Sequence, residues 1–166
     1  GLPVREIVLA TNANRAVPDY FESADWRPRA TVRTLANAMD VGDPSNMERL
    51  RHLHPNVSEL RRRARAFSVT DEEIERTIAD EASLRGHVYD PHTAAAVHVR
   101  ALLDTPHWIV VATAHPAKFE SIVEPLARRQ LDTPPALADL LDKPSVCDEI
   151  EPDLRTLAVE LSEKHN

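Results

Sequence analysis

Thr113 and His115 are side chains whose types and placement suggest contact with a ligand. They follow residues 108–111 (WIVV), an apolar and mostly β-branched run typical of a strand buried on both faces of a parallel sheet. Pro116 then stands where the first turn of a helix is expected. Ligands bind beyond the carboxyl ends of such strands. The stretch predicts either a ligand-contacting turn or an ordinary strand-to-helix connection, and residue types alone favour the connection.

A second polar turn, at residues 11–14 (TNAN), follows the apolar run of residues 4–10, which predicts another strand. Hydroxyl and amide side chains at the end of a strand can face a ligand. Asn side chains also tolerate left-handed turns and bond to nearby backbone. The default interpretation of this segment is therefore a structural turn.

Residues 40–46 (DVGDPSN) form a third candidate segment. Asp43 followed by Pro44 predicts an N-cap and first turn of a helix that continues through residues 47–53. Gly42 can permit either a positive φ or a close backbone approach to a ligand. Turn chemistry explains the segment equally well.

Other reactive residue types give weaker patterns. His52 and His54 lie two positions apart near the end of a predicted helix, so they point to different faces, and no third ligand is nearby. We therefore predict no metal site. Cys147 has no activating base beside it and is expected to be inert. His92 opens a predicted helix and could contact a ligand, but a surface position is the expectation.

Composition limits the function classes. A chain of 166 residues with 42% hydrophobic residues suits one folded domain with a real core. A net charge of −7 argues against a nucleic-acid partner, and the absence of a long apolar run argues against a membrane partner. A single cysteine fits a reducing, cytoplasmic compartment. The chain contains three glycines and no initiator Met, so we expect no glycine-rich phosphate loop in it and expect a longer parent.

The predicted elements indicate an α/β fold with a partial parallel sheet and covering helices. Strands are expected at residues 4–10, 67–69 and 108–111, with 31–39 open between helix and strand. Thr70 and Glu73 predict a capping box, Gly86 a helix end and Asp90 a further cap. Residues 61–65 are interpreted as a solvated helix face. Residues 1–166 are expected to form a single unit whose tail, 131–166, is mostly helical.

Two helices are expected in that tail. Residues 137–141 form a short apolar helix, and residues 151–165 an amphipathic helix that directs Leu154, Leu157 and Leu161 inward.

Five motifs, taken together and in order, resemble the carboxyl-terminal part of the threonine synthase family in its long bacterial and fungal form. Each motif alone is weak, but five in register over residues 1 to about 125 are specific. They are Ala10-Thr11-Asn12-Ala13-Asn14, Asn37-Ala38-Met39-Asp40-Val41-Gly42-Asp43-Pro44-Ser45-Asn46, Val69-Thr70-Asp71-Glu72-Glu73-Ile74, Asp90-Pro91-His92-Thr93-Ala94 and Ala112-Thr113-Ala114-His115-Pro116-Ala117-Lys118-Phe119.

The resemblance implies the tryptophan-synthase-β-like fold, fold type II, of pyridoxal 5'-phosphate (PLP) enzymes. It implies a lyase of threonine biosynthesis that converts O-phospho-L-homoserine and water to L-threonine and phosphate. By the same resemblance, Thr113 is the hydroxyl that hydrogen-bonds the cofactor's pyridine nitrogen. Asp40 and Gly42 belong to a segment that passes beside the cofactor, and Asn14 and His115 lie at the pocket rim.

Two motifs of the family are missing from this chain. The Schiff-base lysine of Ser-Phe-Lys-Asp and the Gly-Asn-Phe-Gly phosphate loop are absent, and Lys118 matches a different family lysine. We therefore expect a carboxyl-terminal fragment, without catalytic residues of its own, that is inactive and binds the cofactor only with the N-terminal part of the same enzyme. Exposed sheet edges and apolar surface predict self-association.

Two alternatives remain open. One is a free-standing, non-catalytic α/β interaction module that reuses the same half-fold. The other is a different fold type II PLP enzyme, such as a serine or threonine dehydratase, which the run Thr113-Ala114-His115-Pro116-Ala117-Lys118-Phe119 disfavours.

Overall fold

The computed structural model describes residues 3–105, 107–141 and 143–163. These residues form two compact units, one up to residue 132 and one from residue 133. The first unit contains the sheet and most of the helices. Whether residues 1–166 act as one domain stays a prediction.

The sheet of the first unit consists of two parallel strands, β1 (Ile7–Thr11) and β2 (Ala64–Ser68). Their register pairs Ile7 with Ala64 and Thr11 with Ser68. Parallel strands need a crossover connection, and three helices supply it here. They are α1 (Ala16–Ser23), α2 (Asn46–Leu53) and α3 (Val57–Arg61). The predicted α/β class with parallel strands and covering helices is confirmed.

Helices with well-formed caps follow the sheet. The predicted capping box of Thr70 and Glu73 is present, and Gly86 ends the helix with φ of 72°. The Asp90 carboxylate accepts hydrogen bonds from the next helix's first amides, as predicted. The elements are α4 (Asp71–Arg85), α5 (Pro91–Ala101), a 3₁₀ turn (Pro116–Phe119) and α6 (Glu120–Ala127).

Two hydrophobic clusters hold these elements together. The main cluster joins α4, α5 and α6, and its largest buried members are Val69, Ile74, Ile78, Val99 and Val123. The second cluster joins α1, α2 and α3 through Tyr20, Phe21, Met47, Val57 and Leu60. The predicted buried stripe of α4 is confirmed at Ile74 and Ile78.

The predicted strand at residues 108–111 is wrong. This segment has no regular secondary structure, and the side chains of Ile109 and Val111 are 93% and 73% exposed. A strand needs a neighbouring strand to satisfy its backbone N–H and C=O groups. Within the described residues, the sheet contains only β1 and β2, which pair with each other. Apolar composition is therefore not sufficient to make this segment a strand.

Other boundaries differ from the predictions. The interpretation of residues 61–65 as one helix face is wrong, because α3 ends at Arg61 and the chain enters β2 at Ala64. Residues 31–39 form a loop that ends in a 3₁₀ turn, Asn37–Met39. Asp43 does not cap α2, whose N-cap position is Ser45.

The second unit contains α7 (Pro135–Leu141) and α8 (Leu154–Glu163). Both helices were expected, although the predicted end of the second, at residue 165, lies outside the described residues. Its leucines are not buried as predicted: Leu154, Leu157 and Leu161 are 79%, 41% and 54% exposed. So short a unit contains too little apolar surface to enclose the stripe.

Among the helices of the described ranges, none is both long enough and apolar enough to cross a membrane.

Candidate functional site

A cluster of polar side chains lies directly beyond the carboxyl end of β1. Asn12 is completely buried at its centre. Its amide nitrogen lies 2.7 Å from the Thr34 hydroxyl, 2.8 Å from Asp40 Oδ1 and 3.1 Å from the Ala36 carbonyl oxygen. A buried amide costs free energy unless it is hydrogen-bonded. Asn12 therefore fixes the loop of residues 31–42, called here the 31–42 loop, to the end of the strand.

Asn14 belongs to the same cluster. Its backbone N–H and its amide nitrogen donate to Asn12 Oδ1 at 2.9 and 3.0 Å. Its amide also exchanges two hydrogen bonds with the Val32 backbone, each 2.8 Å long. Asn14 is only 8% exposed. The Asn14 amide thus bonds to the loop and is not directed into solvent.

The Asp40 carboxylate is fully engaged by this chain. Oδ2 accepts from the Thr34 N–H at 3.0 Å, and Oδ1 accepts from the Thr34 hydroxyl at 2.7 Å and from Asn12 at 2.8 Å. Charge-assisted hydrogen bonds of this kind are stronger than neutral ones. The carboxylate therefore holds the turn that precedes Gly42.

Gly42 is buried against the chain's own backbone. A Cβ at this position would lie 1.9 Å from the Arg29 carbonyl oxygen, and the Arg29 N–H donates to the Gly42 carbonyl at 3.0 Å. Its φ is not in the left-handed region, since Gly86 is the glycine with positive φ. The close approach of Arg29 therefore requires glycine here. Val41, between Asp40 and Gly42, remains 43% exposed.

The side chain of His92 is largely buried, so its expected surface position is wrong. Its side chain is 8% exposed, with Nδ1 2.9 Å from Asp90 Oδ1 and Nε2 3.0 Å from the Ala38 amide nitrogen. An amide N–H can only donate, so Nε2 must carry a lone pair and Nδ1 the hydrogen. The imidazole is therefore neutral in this arrangement. An Asp at an N-cap two residues before a His is the local signal that could have indicated it.

The amino end of α4 holds the 31–42 loop as well. The Leu35 N–H donates to Asp71 Oδ1 at 3.1 Å. The loop is thus fixed by three separate elements, namely the end of β1, the start of α4 and the start of α5. The Asp71 and His92 contacts span 36 and 54 residues of sequence, and local patterns do not reveal them.

The segment before α6 places Thr113 and His115 differently. Thr113 is exposed, so its hydroxyl is accessible. His115 caps the 3₁₀ turn, because its Nδ1 accepts from the Ala117 N–H at 3.2 Å. Lys118 is exposed on that turn. The Phe119 ring contacts the His92 ring with centroids 5.1 Å apart, which joins this turn to the 31–42 loop.

The described ranges contain no group of three His, Cys, Asp or Glu side chains that could hold a metal ion. Outside the cluster, the exposed Glu72 carboxyl has a lowered pKa, because the Glu72 backbone N–H and the Thr70 side chain donate hydrogen bonds to it. The chemistry of the candidate site is therefore that of hydroxyl, amide and engaged carboxylate groups.

Comparison with known proteins shows similarity to one family. The family model described as "Threonine synthase, C-terminal" matches residues 93–159. The threonine synthase of Serratia marcescens is 42% identical over 83% of this chain, and that of Escherichia coli K12 is 37% identical over 95%. The chain spans 32% and 37% of the lengths of these two relatives.

Solved structures give the same result. The crystal structure of threonine synthase from Escherichia coli matches all of this chain with a TM-score of 0.79 and 34% identity, over 39% of its own length. PLP-bound threonine synthase from Brucella melitensis matches 99% of the chain with a TM-score of 0.77 and 26% identity, over 41% of its length. Over almost its whole length, the chain is therefore similar in sequence and in fold to part of the known threonine synthases, and the family model that it matches is that of their carboxyl-terminal part.

Proposed function

We propose that this chain forms the carboxyl-terminal wall of the cofactor pocket in a PLP-dependent threonine synthase. The whole enzyme would convert O-phospho-L-homoserine and water to L-threonine and phosphate. The observation that carries the proposal is the match of 99% of the chain to a PLP-bound threonine synthase structure. When bound, PLP withdraws electrons from the substrate carbon skeleton and so makes its protons removable.

Thr113 is the residue proposed to contact the pyridine nitrogen. Its exposed hydroxyl is free to turn toward a ligand, and the residues around it are small or polar. A hydroxyl can donate a hydrogen bond to an unprotonated ring nitrogen. Unlike a carboxylate, it does not stabilise a protonated one. Thr113 would therefore orient the ring without adding charge to it.

Asp40 and Gly42 are proposed to shape the segment that passes beside the cofactor. The Asp40 carboxylate is engaged by Thr34 and Asn12, and the Cβ side of Gly42 is filled by Arg29. Both therefore act through the position of the backbone. Val41 lies between them, and its exposed side chain is the apolar group of this segment that would contact the face of the cofactor ring.

The isolated chain is proposed to be inactive. Its three lysines are Lys118, Lys143 and Lys164, and none lies in the family motif for covalent attachment of the cofactor. The exposed apolar side chains of Ile109 and Val111 favour an additional partner surface, which we assign to the N-terminal part of the same enzyme.

A chimera tests this proposal directly. This chain would replace the matching carboxyl-terminal part of the Escherichia coli enzyme, which is 37% identical. We expect the chimera to bind PLP, seen as visible absorbance, and to release phosphate from O-phospho-L-homoserine. Thr113→Val should lower kcat about 10- to 100-fold, whereas the matched Thr113→Ser, which keeps the hydroxyl, should retain most of it.

Two results would contradict the proposal. A chimera that folds without binding PLP would favour the non-catalytic interaction module. Equal activities of Thr113→Val and Thr113→Ser would remove Thr113 from the pocket.

A further inference from the structure

We propose that His92 is a positioning residue that holds the two candidate cofactor-facing segments, the 31–42 loop and the turn at residues 116–119, in one fixed relation. Its action depends on one neutral tautomer, with the hydrogen on Nδ1. The role in cofactor binding rests on the proposed function, whereas the role in fixing the loop does not.

The first contact of His92 fixes the loop. Nε2 accepts the Ala38 N–H at 3.0 Å, and Ala38 is the central residue of the 3₁₀ turn Asn37–Met39. Two residues further on, the Asp40 N–H donates back to the Asn37 carbonyl at 3.0 Å. Because the two bonds lie within one turn, the Nε2 acceptor of His92 determines the position of Asp40 and of the residues that follow.

The second contact reaches the other segment. The Phe119 ring lies 5.1 Å from the His92 ring, centroid to centroid, with planes inclined by 53°. Phe119 also packs on the main hydrophobic cluster and ends the turn that follows Thr113. The His92 imidazole therefore contacts both segments, which lie about 80 residues apart in sequence.

Asp90 selects the tautomer. Its carboxylate is 1% exposed and accepts from His92 Nδ1 at 2.9 Å, from the His92 N–H at 3.0 Å and from the Thr93 hydroxyl. A carboxylate held in this way orients the imidazole and keeps the hydrogen on Nδ1, which leaves Nε2 as the acceptor. The N-cap of α5 thus has a second use beyond starting the helix.

Matched substitutions separate the acceptor from the rest of the side chain. His92→Gln can place an oxygen near the position of Nε2 and keep the bond to Ala38. His92→Asn can place a donor near the position of Nδ1 and keep the bond to Asp90, but it does not reach Ala38. Both variants lose the aromatic contact with Phe119, so that contact does not distinguish them.

The test on the 166-residue chain is NMR. In the wild type, the ¹⁵N shifts of His92 should show a protonated Nδ1 and an unprotonated Nε2. The Ala38 amide should exchange with solvent about tenfold faster in His92→Asn than in His92→Gln, since one hydrogen bond is lost. Equal exchange in both variants, or a hydrogen on Nε2, would overturn the proposal.

The same variants in the chimera test the link to the cofactor. His92→Gln should keep the visible circular dichroism of bound PLP, and His92→Asn should weaken it. If Ala38 exchange differs as expected but the dichroism does not, His92 still fixes the loop and the proposed cofactor role of that loop fails. If the exchange does not differ, the positioning role fails whether or not PLP binds.

Discussion

Asp40 Oδ1 lies 2.8 Å from the amide nitrogen of Asn12, although the two residues are 28 positions apart in the chain. Asn12 is completely buried at the end of β1, and Asp40 begins the turn that leads to Gly42. The pair joins the carboxyl end of the first strand to the segment proposed to pass beside the cofactor. The strength of this link determines how firmly that segment is placed.

Asn12→Ala should lower the free energy of unfolding by about 2–3 kcal/mol. The substitution leaves the partly buried Thr34 hydroxyl and Asp40 carboxylate short of a donor, and each such loss costs about 1–3 kcal/mol. Urea denaturation followed by circular dichroism measures the change. Asn46→Ala, at the exposed start of α2, is the matched control and should cost less than about 0.5 kcal/mol. Equal effects of the two substitutions would contradict the central role of Asn12.

Gly42→Ala should be more destabilising than Gly86→Ala. The added methyl at position 42 would lie 1.9 Å from the Arg29 carbonyl oxygen, so the backbone at position 42 or at Arg29 has to move. Such overpacking costs about 1–3 kcal/mol or more in the free energy of unfolding. At Gly86 the new methyl meets open space, and only the positive φ of 72° costs about 1 kcal/mol.

Thermal denaturation of both glycine variants gives the comparison. If Gly86→Ala is the worse of the two, the contact between Gly42 and Arg29 is not tight in solution. In that case, the approach of a ligand would be the remaining reason for a glycine at position 42.

Ile78→Ala should lower the free energy of unfolding by about 2–5 kcal/mol, because Ile78 is completely buried between α4 and the helices that pack on it. Leu84, on the same helix, is 76% exposed, so Leu84→Ala is the control and should change stability by no more than about 0.5 kcal/mol. Chemical denaturation of the two variants distinguishes a packed α4 from a loosely attached one. Similar midpoints for both would show that the main cluster is not formed.

Local patterns were sufficient for the elements whose determinants lie close together in sequence. The capping box of Thr70 and Glu73, the helix end at Gly86 and the Asp90 cap each depend on residues within a few positions, and all three are present. The parallel pairing of β1 with β2 also agrees with the predicted class. The three caps need no knowledge of the rest of the fold.

Long-range contacts account for what the sequence did not reveal. His92 was expected at the surface because Ala38, whose N–H donates to its Nε2, lies 54 residues earlier and is not revealed by local patterns. Residues 108–111 have the composition of a buried strand, but composition specifies no neighbour, and Ile109 is 93% exposed. Asp40 and Gly42 were predicted to lie beside the cofactor, and this stays a prediction; their contacts with Thr34 and Arg29 were not predicted.

The 166-residue chain should self-associate through the exposed apolar segment around Ile109 and Val111. These side chains are 93% and 73% exposed, and exposed apolar side chains, like open sheet edges, favour association. Sedimentation velocity at increasing concentration should show dimers or larger species, and the double substitution Ile109→Glu and Val111→Glu should shift them to monomer. Leu102→Glu, at another exposed apolar position, 61% exposed, is the control and should leave association largely unchanged. A wild-type chain that sediments as a monomer at high concentration would refute the prediction.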